Sequence, residues 1–311
     1  MNMNTSAKET LLFSGILITL WKRKFFIIGF SLFCVVVASL VAISLPNKYA
    51  SYATLAPVEQ EAGGGLSGLA SQFGGLASIA GINLGGNQSQ KFTLAKELLQ
   101  SKNFIINFVE KHDLKLEIMA VESWEHAENK YVYDNDIYDE KKSIWIRKEK
   151  FPKKAEPSLL EASQEFLSKN LIVKEDKNTG YLKLGIEHFS PYFSKRVLEL
   201  LILEVNNEIK TQDLTEAERS IAYLTEAISS TQITEMQSLL YKLIEQQQQI
   251  KMLAMVKHEY ILQTVDKPLL ELERVSPNRL VIVILGGFFG GVLACLIVVL
   301  GFNFLSSRNE Q

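Results

Sequence analysis

FFIIGFSLFCVVVASLVAISL (Phe25–Leu45) and LVIVILGGFFGGVLACLIVVLGFNF (Leu280–Phe304) carry no charged residue. A helix needs about 20 apolar residues to cross about 30 Å of hydrocarbon, and each run supplies them. Both therefore read as transmembrane helices. Between them lies Pro46–Arg279, mixed in polarity and long enough to bury a core. A short segment, residues 1–24, precedes the first run, and Leu305–Gln311 follows the second. A cleaved signal peptide is the rival reading of Phe25–Leu45. Its apolar stretch is longer than a signal core of about 7–15 residues, and no A-x-A site follows. Leu11–Trp21 is apolar but too short to span, and reads as an interfacial piece.

Working outward, Lys22, Arg23 and Lys24 stand directly before the first run, while Lys48 alone lies near its other flank. Positive residues stay on the cytoplasmic side. The expectation is that both termini are cytoplasmic and the central domain is exported. Lys267, Arg274 and Arg279 on the exported flank of the second run argue the other way, but the first helix usually dominates. Cys34 and Cys295 both fall inside the runs, so the central domain holds neither a disulfide nor a cysteine nucleophile. Charge is nearly balanced at −2, with no long block of one sign, and nothing asks for nucleic acid.

Within the domain, Tyr49–Val58 alternates as a strand does. Ala62–Gly86 is a Gly, Ala, Ser and Leu segment without a lysine, which excludes a phosphate-binding loop and reads as a flexible loop. Phe92–His112 has the spacing of an amphipathic helix. Ala120–Pro157 mixes charge with Trp124, Tyr131, Tyr133, Tyr138, Trp145 and Phe151. Core and turn packing is the ordinary reading of those rings, a sugar-stacking surface the sharper one. A short helix over Leu159–Lys169 should precede strands at Leu171–Lys174 and Tyr181–Glu187, joined by the turn Asp176–Gly180. Ser190-Pro191 opens a helix running to about Lys210, and Tyr260–Asp266 returns as a strand.

Asp213–Met255 has neither Pro nor Gly, and its apolar positions recur at spacings of three and four. Leu214, Ala217, Ile221, Leu224 and Ile228 form one series; Ile233, Met236, Leu240 and Leu243, then Ile250 and Ala254, resume it after a step of five across Ser229-Ser230-Thr231, where the stripe shifts or the helix bends. A continuous helix here would reach about 64 Å and project from a domain of this size. Its seam needs a cover, either a neighbouring subunit through Leu240 and Leu243 or the rest of the monomer. In the second run, Gly286, Gly287, Gly290 and Gly291 form two overlapping G-x-x-x-G pairs, which suit close helix packing in lipid, and Pro277 rigidifies the approach.

Catalytic chemistry is hard to place. Asp134-Asn135-Asp136 begins like a calcium loop but fails at Tyr138, Asp139 and Trp145. His112, His126, His188 and His258 lack the i, i+4 spacing of a helical zinc site, and read as surface or satisfied structural histidines. Acid pairs such as Asp139-Glu140 occur in any soluble domain, and no nucleophile elbow is present. No catalytic, metal or cofactor site is expected, and the protein reads as a non-enzyme.

Glu216–Pro268, Ser276-Pro277-Asn278-Arg279 before a glycine-rich membrane helix, and Asp136–Tyr138 with Glu161–Pro191 (through NLIVKEDKNTGYLKLGIEHFSP) resemble the Wzz-type chain-length determinants, or polysaccharide co-polymerases. The resemblance covers nearly the whole chain and is vaguest in the N-terminal third. Two departures stand out: fewer prolines near the second run, and Asn278 where a basic residue is usual. The resemblance implies an α+β membrane protein of the Gram-negative inner membrane. Two transmembrane helices, 25–45 and 280–304, would flank a periplasmic α/β domain, 46–279, with a long projecting helix at about 213–255. It further implies a ring-like homo-oligomer that works with an O-antigen polymerase on a growing lipid-linked polysaccharide. Such a protein sets the modal length of lipopolysaccharide O-antigen; capsule, exopolysaccharide or enterobacterial-type common antigen are alternatives. Seven residues after the second run leave no room for a cytoplasmic kinase or for the signalling module of a two-pass sensor, a remoter reading. A membrane-anchored glycan hydrolase is the other rival.

Overall fold

The computed structural model describes residues 20–58 and 88–308, with side chains to 300. The glycine-rich segment 62–86 and most of Leu11–Trp21 lie outside the described residues. The chain divides into two units. One comprises the two apolar helices and their flanks, the other spans Lys48–Glu273.

In the first unit, α1 (Lys24–Ser44) and α8 (Arg279–Arg308) are long and apolar enough to cross a membrane. Their surfaces are largely exposed apolar side chains, such as Phe33 and Leu40 on α1 and Phe289 and Leu300 on α8. That is the pattern of helices whose solvent is lipid. Asn278 begins α8 in place of a cationic residue, and its side-chain oxygen accepts from Val281 N at 3.4 Å. This is the capping an Asn provides and a basic residue cannot.

The second unit is built on antiparallel strands in the order β6-β7-β1-β8: Leu171–Glu175, Leu182–His188, Lys48–Pro57 and Leu262–Asp266. Alternation in β7 turns Leu182, Leu184 and Ile186 into the core. Gly185 faces the other way, opposite Tyr52. A Cβ at Gly185 would fall 2.6 Å from the Tyr52 ring, so the ring lies flat where only glycine leaves room, with Lys183 Nζ 4.6 Å from its centroid. The turn between β6 and β7 uses Gly180 at φ 71°, and its N–H donates to Asp176 O.

Helices cover the core face. The sequence predicts one helix over Phe92–His112; the structure has α2 (Gln88–Gln100) and α3 (Lys102–Lys111) instead. Ser101 makes the break, because its extended backbone and side-chain oxygen cap α3 through Phe104 N. A short α4 (Lys115–Ala120) leads to two small hairpins, β2 (Val121–Glu125) with β3 (Lys130–Tyr133) and β4 (Tyr138–Asp139) with β5 (Ile144–Trp145). Next, α5 (Leu159–Glu165) opens with a capping box between Ser158 and Glu161 and ends in a π-turn, Phe166–Asn170.

The largest difference from expectation concerns the long helix. Ser190 and Pro191 do open a helix, but α6 runs unbroken from Pro191 to Ser230, 40 residues or about 60 Å. The expected continuity across Asp213–Met255 fails at Thr231–Ile233, and α7 (Thr234–Val256) folds back. Ser229, Ser230 and Thr231 donate their hydroxyls to carbonyls of Glu226 and Ala227, and Gln237 Nε2 donates to Thr231 O. Side chains that satisfy the backbone locally compete with helix continuation, and here they end it. The first half of α6 belongs to the core through Phe193, Val197, Leu201, Val205 and Ile209. Its second half forms an antiparallel hairpin with α7.

Candidate functional surfaces

The structure brings the four glycines of α8 against α1. A Cβ at Gly286 would overlap that of Ala38; at Gly290 it would lie 2.5 Å from Cys34 Cβ, and at Gly287 2.9 Å from Val35 Cγ2. Gly291 faces Ser31 Oγ at 3.8 Å, and that hydroxyl donates to Gly287 O at 3.0 Å. Backbones approach this closely only where side chains are absent. The partner positions Ser31, Cys34 and Ala38 escaped the sequence reading. Their signal was a stripe of small residues at spacings of three and four inside the first run. On the outer side, Gly287 and Gly291 also line an apolar groove with Ile27, Phe288, Val292 and Cys295. Pro277 sits two residues before α8, and Arg279 donates to Asn47 Oδ1 at 3.2 Å, so the chain ends flanking the two helices are tied together.

Leu240 and Leu243 lie on α7 and are half-buried. Part of the seam is covered within the chain, since Ala217, Leu224 and Ala254 are buried. Lys251 pairs with Glu218 at 2.8 Å and sets the hairpin register. A second apolar set remains uncovered: Tyr223, Ile233, Met236, Tyr241, Met252, Met255 and Val256.

At the base of the hairpin, Asn206 Oδ1 accepts from the backbone N–H groups of Tyr260, Ile261 and Leu262 at 2.9–3.1 Å. Its Nδ2 donates to Ile202 O and Leu262 O. Nearby, Asp213 accepts from Lys91 Nζ and Tyr260 Oη, both at 2.5 Å. Burial first, and then the Asp213 carboxylate, push the Tyr260 phenol far above its ordinary pKa, so it stays a donor.

The expected aromatics pack against neighbouring rings, except Phe151, which is exposed. Tyr49 meets Trp124 edge-on at 5.7 Å, Tyr133 meets Tyr138 at 5.5 Å, and Tyr138 meets Trp145 at 5.3 Å. His188 is buried beside Phe193. It accepts from Ser190 N at Nδ1 and so donates from Nε2 to Glu117 O, a satisfied neutral histidine. Burial holds its pKa down at about 4. Among the described residues, no three His, Cys, Asp or Glu side chains gather as metal ligands would.

Residues 10–112 match the family model described as Wzz, chain length determinant protein. Over this stretch, about a third of its length, the chain is similar to the Wzz family. The match takes in α1, β1, α2 and α3, the third of the chain where the resemblance read from sequence was vaguest. Two solved structures are similar to the chain. A "full-length bacterial polysaccharide co-polymerase" shares 15% identity over 95% of this chain and 98% of its own, with TM-score 0.38. A fragment of WzzB, a polysaccharide co-polymerase from Salmonella Typhimurium, shares 12% identity over 74% and 100%, with TM-score 0.31. No curated protein matches.

Proposed function

We propose that this Wzz-type protein sets the modal length of lipopolysaccharide O-antigen, acting on a separate membrane polymerase without forming bonds itself. The observation that carries the reading is the Wzz match over residues 10–112, on a chain with two candidate membrane helices. The central unit is periplasmic in this reading and both termini are cytoplasmic, with Lys22, Arg23 and Lys24 as the retained charge. Copies assemble as a ring-like homo-oligomer around the growing lipid-linked polysaccharide. The uncovered Tyr223, Tyr241, Met252 and Met255 support that assembly, since apolar patches of this kind mark interaction surfaces. In this reading half-buried Leu240 and Leu243 contribute to the contact between copies, and the Gly286–Gly291 face holds the two spans together.

Deletion of the gene, followed by a silver-stained gel of surface lipopolysaccharide, tests the reading. A clustered long-chain band should give way to a steadily declining ladder and return on complementation. An unchanged ladder sinks the O-antigen assignment and moves the search to capsule, exopolysaccharide or common antigen.

A further inference from the structure

Phe151 is 99% exposed, more than any other large apolar residue described. It and Pro152 form the tip of a loop closed by reciprocal backbone hydrogen bonds between Lys150 and Lys153. The loop's base is pinned as well. Arg147 donates to Lys154 O from Nε at 3.2 Å and from Nη2 at 2.6 Å, and its Nη1 pairs with Glu161 at 2.8 Å. Glu161 is in turn locked into the capping box of α5, and the Arg147 hydrogen bond holds its carboxyl below the usual range. An ion pair and a backbone bridge thus hold an apolar ring out in water.

The charges around the tip are one-sided. Lys148, Lys150, Lys153 and Lys154 are exposed within seven residues, with Glu149 the only acid among them. Among the described residues no carboxylate pairs with any of the four lysines.

We infer that the Lys148–Lys154 loop docks on the headgroup layer of an anionic lipid bilayer, with Phe151 entering the interface. The chemistry is complementary on both counts. Lysines near an anionic surface each gain about fivefold in affinity, and an aromatic ring favours the headgroup boundary. The inference rests on reading α1 and α8 as membrane spans, because the spans attach the chain to a bilayer.

The test uses the full chain with Cys34→Ala, Cys295→Ala and Lys150→Cys, labelled at residue 150 with an environment-sensitive dye. It is reconstituted in vesicles of phosphatidylcholine alone or with phosphatidylglycerol. Dye emission should rise about twofold in the anionic vesicles, be quenched by shallow spin-labelled lipid and fall at high salt. Adding Phe151→Ser, or Lys148→Gln with Lys153→Gln and Lys154→Gln, should return it to the neutral-vesicle level. Because these side chains are exposed, the fold should survive either change. Equal emission in both vesicles overturns the docking. A signal that instead tracks protein concentration in neutral vesicles assigns the tip to a second copy and overturns it too. Resistance to alkaline carbonate extraction is read in parallel. Protein that is extracted refutes the spans, whereas retained protein with an indifferent dye refutes the docking alone.

Discussion

Asn206 joins the core to the strand that returns toward the second apolar helix. One carboxamide oxygen serves three consecutive N–H groups, and its NH₂ reaches β8 and the preceding turn of α6. All of these groups are buried, and each donor left unpaired costs about 1–3 kcal/mol. Asn206→Ala should therefore lower unfolding stability by about 3 kcal/mol, measured by urea titration in detergent with tryptophan fluorescence. A loss under about 1 kcal/mol would mean that water or backbone shifts replace the amide. His188 gives the fold a pH dependence. Its pKa falls from 6.5 unfolded to about 4 folded, so between these values the unfolded chain binds a proton that the folded chain refuses. Its stabilising share is complete above pH 6.5 and is lost as pH falls toward 4, by about 3 kcal/mol in all. Stability measured at pH 7 and pH 5 should differ by more in the parent chain than in His188→Gln. Glu117, whose carboxyl burial raises above its ordinary value, works in the opposite direction near pH 5 and is common to both chains. Equal slopes would rule His188 out.

The α6–α7 hairpin shows why a periodic stripe alone does not identify its cover. A three-and-four spacing reads the same whether the seam meets a partner subunit or the chain's own return. The decision lay in three hydroxyl residues that close the helix on itself, a local competition that spacing does not encode. Two substitutions in α7 separate packing from charge. Ala254 is completely buried. Ala254→Phe should overpack the hairpin and cost about 1–3 kcal/mol, with faster proteolysis at Thr231–Ile233. Lys251→Ala removes a largely exposed ion pair and should cost under about 1 kcal/mol. If the lysine change proved the costlier, the hairpin would be held by charge and not by burial.

At the scale of the whole chain, the two long apolar helices, the strand at Tyr49, the short helix from Leu159 and the proline-led start of α6 were all legible, because each rests on local chemistry. The two-helix replacement of Phe92–His112, the hairpin and the closed loop behind Phe151 were not, because single polar groups bonding the nearby backbone decide them and apolar spacing does not register those bonds. The glycine face stands between these cases. Gly286 and Gly290 were visible as a motif, but their partners on α1 required a second helix to reveal them. Gly29 supplies an internal control, since nothing lies within 4 Å of where its Cβ would be. Gly290→Val should drive the helices apart, because the new Cβ would fall 2.5 Å from Cys34 Cβ, whereas Gly29→Leu should leave the pair unchanged. Spin labels at Leu32 and Leu293, both outward-facing, report the separation by pulsed electron resonance in nanodiscs. The distance distribution should widen for Gly290→Val alone. If both variants matched the parent, α1 and α8 would not be packed through glycine, and the two spans would have to be held by their flanks, where Arg279 meets Asn47.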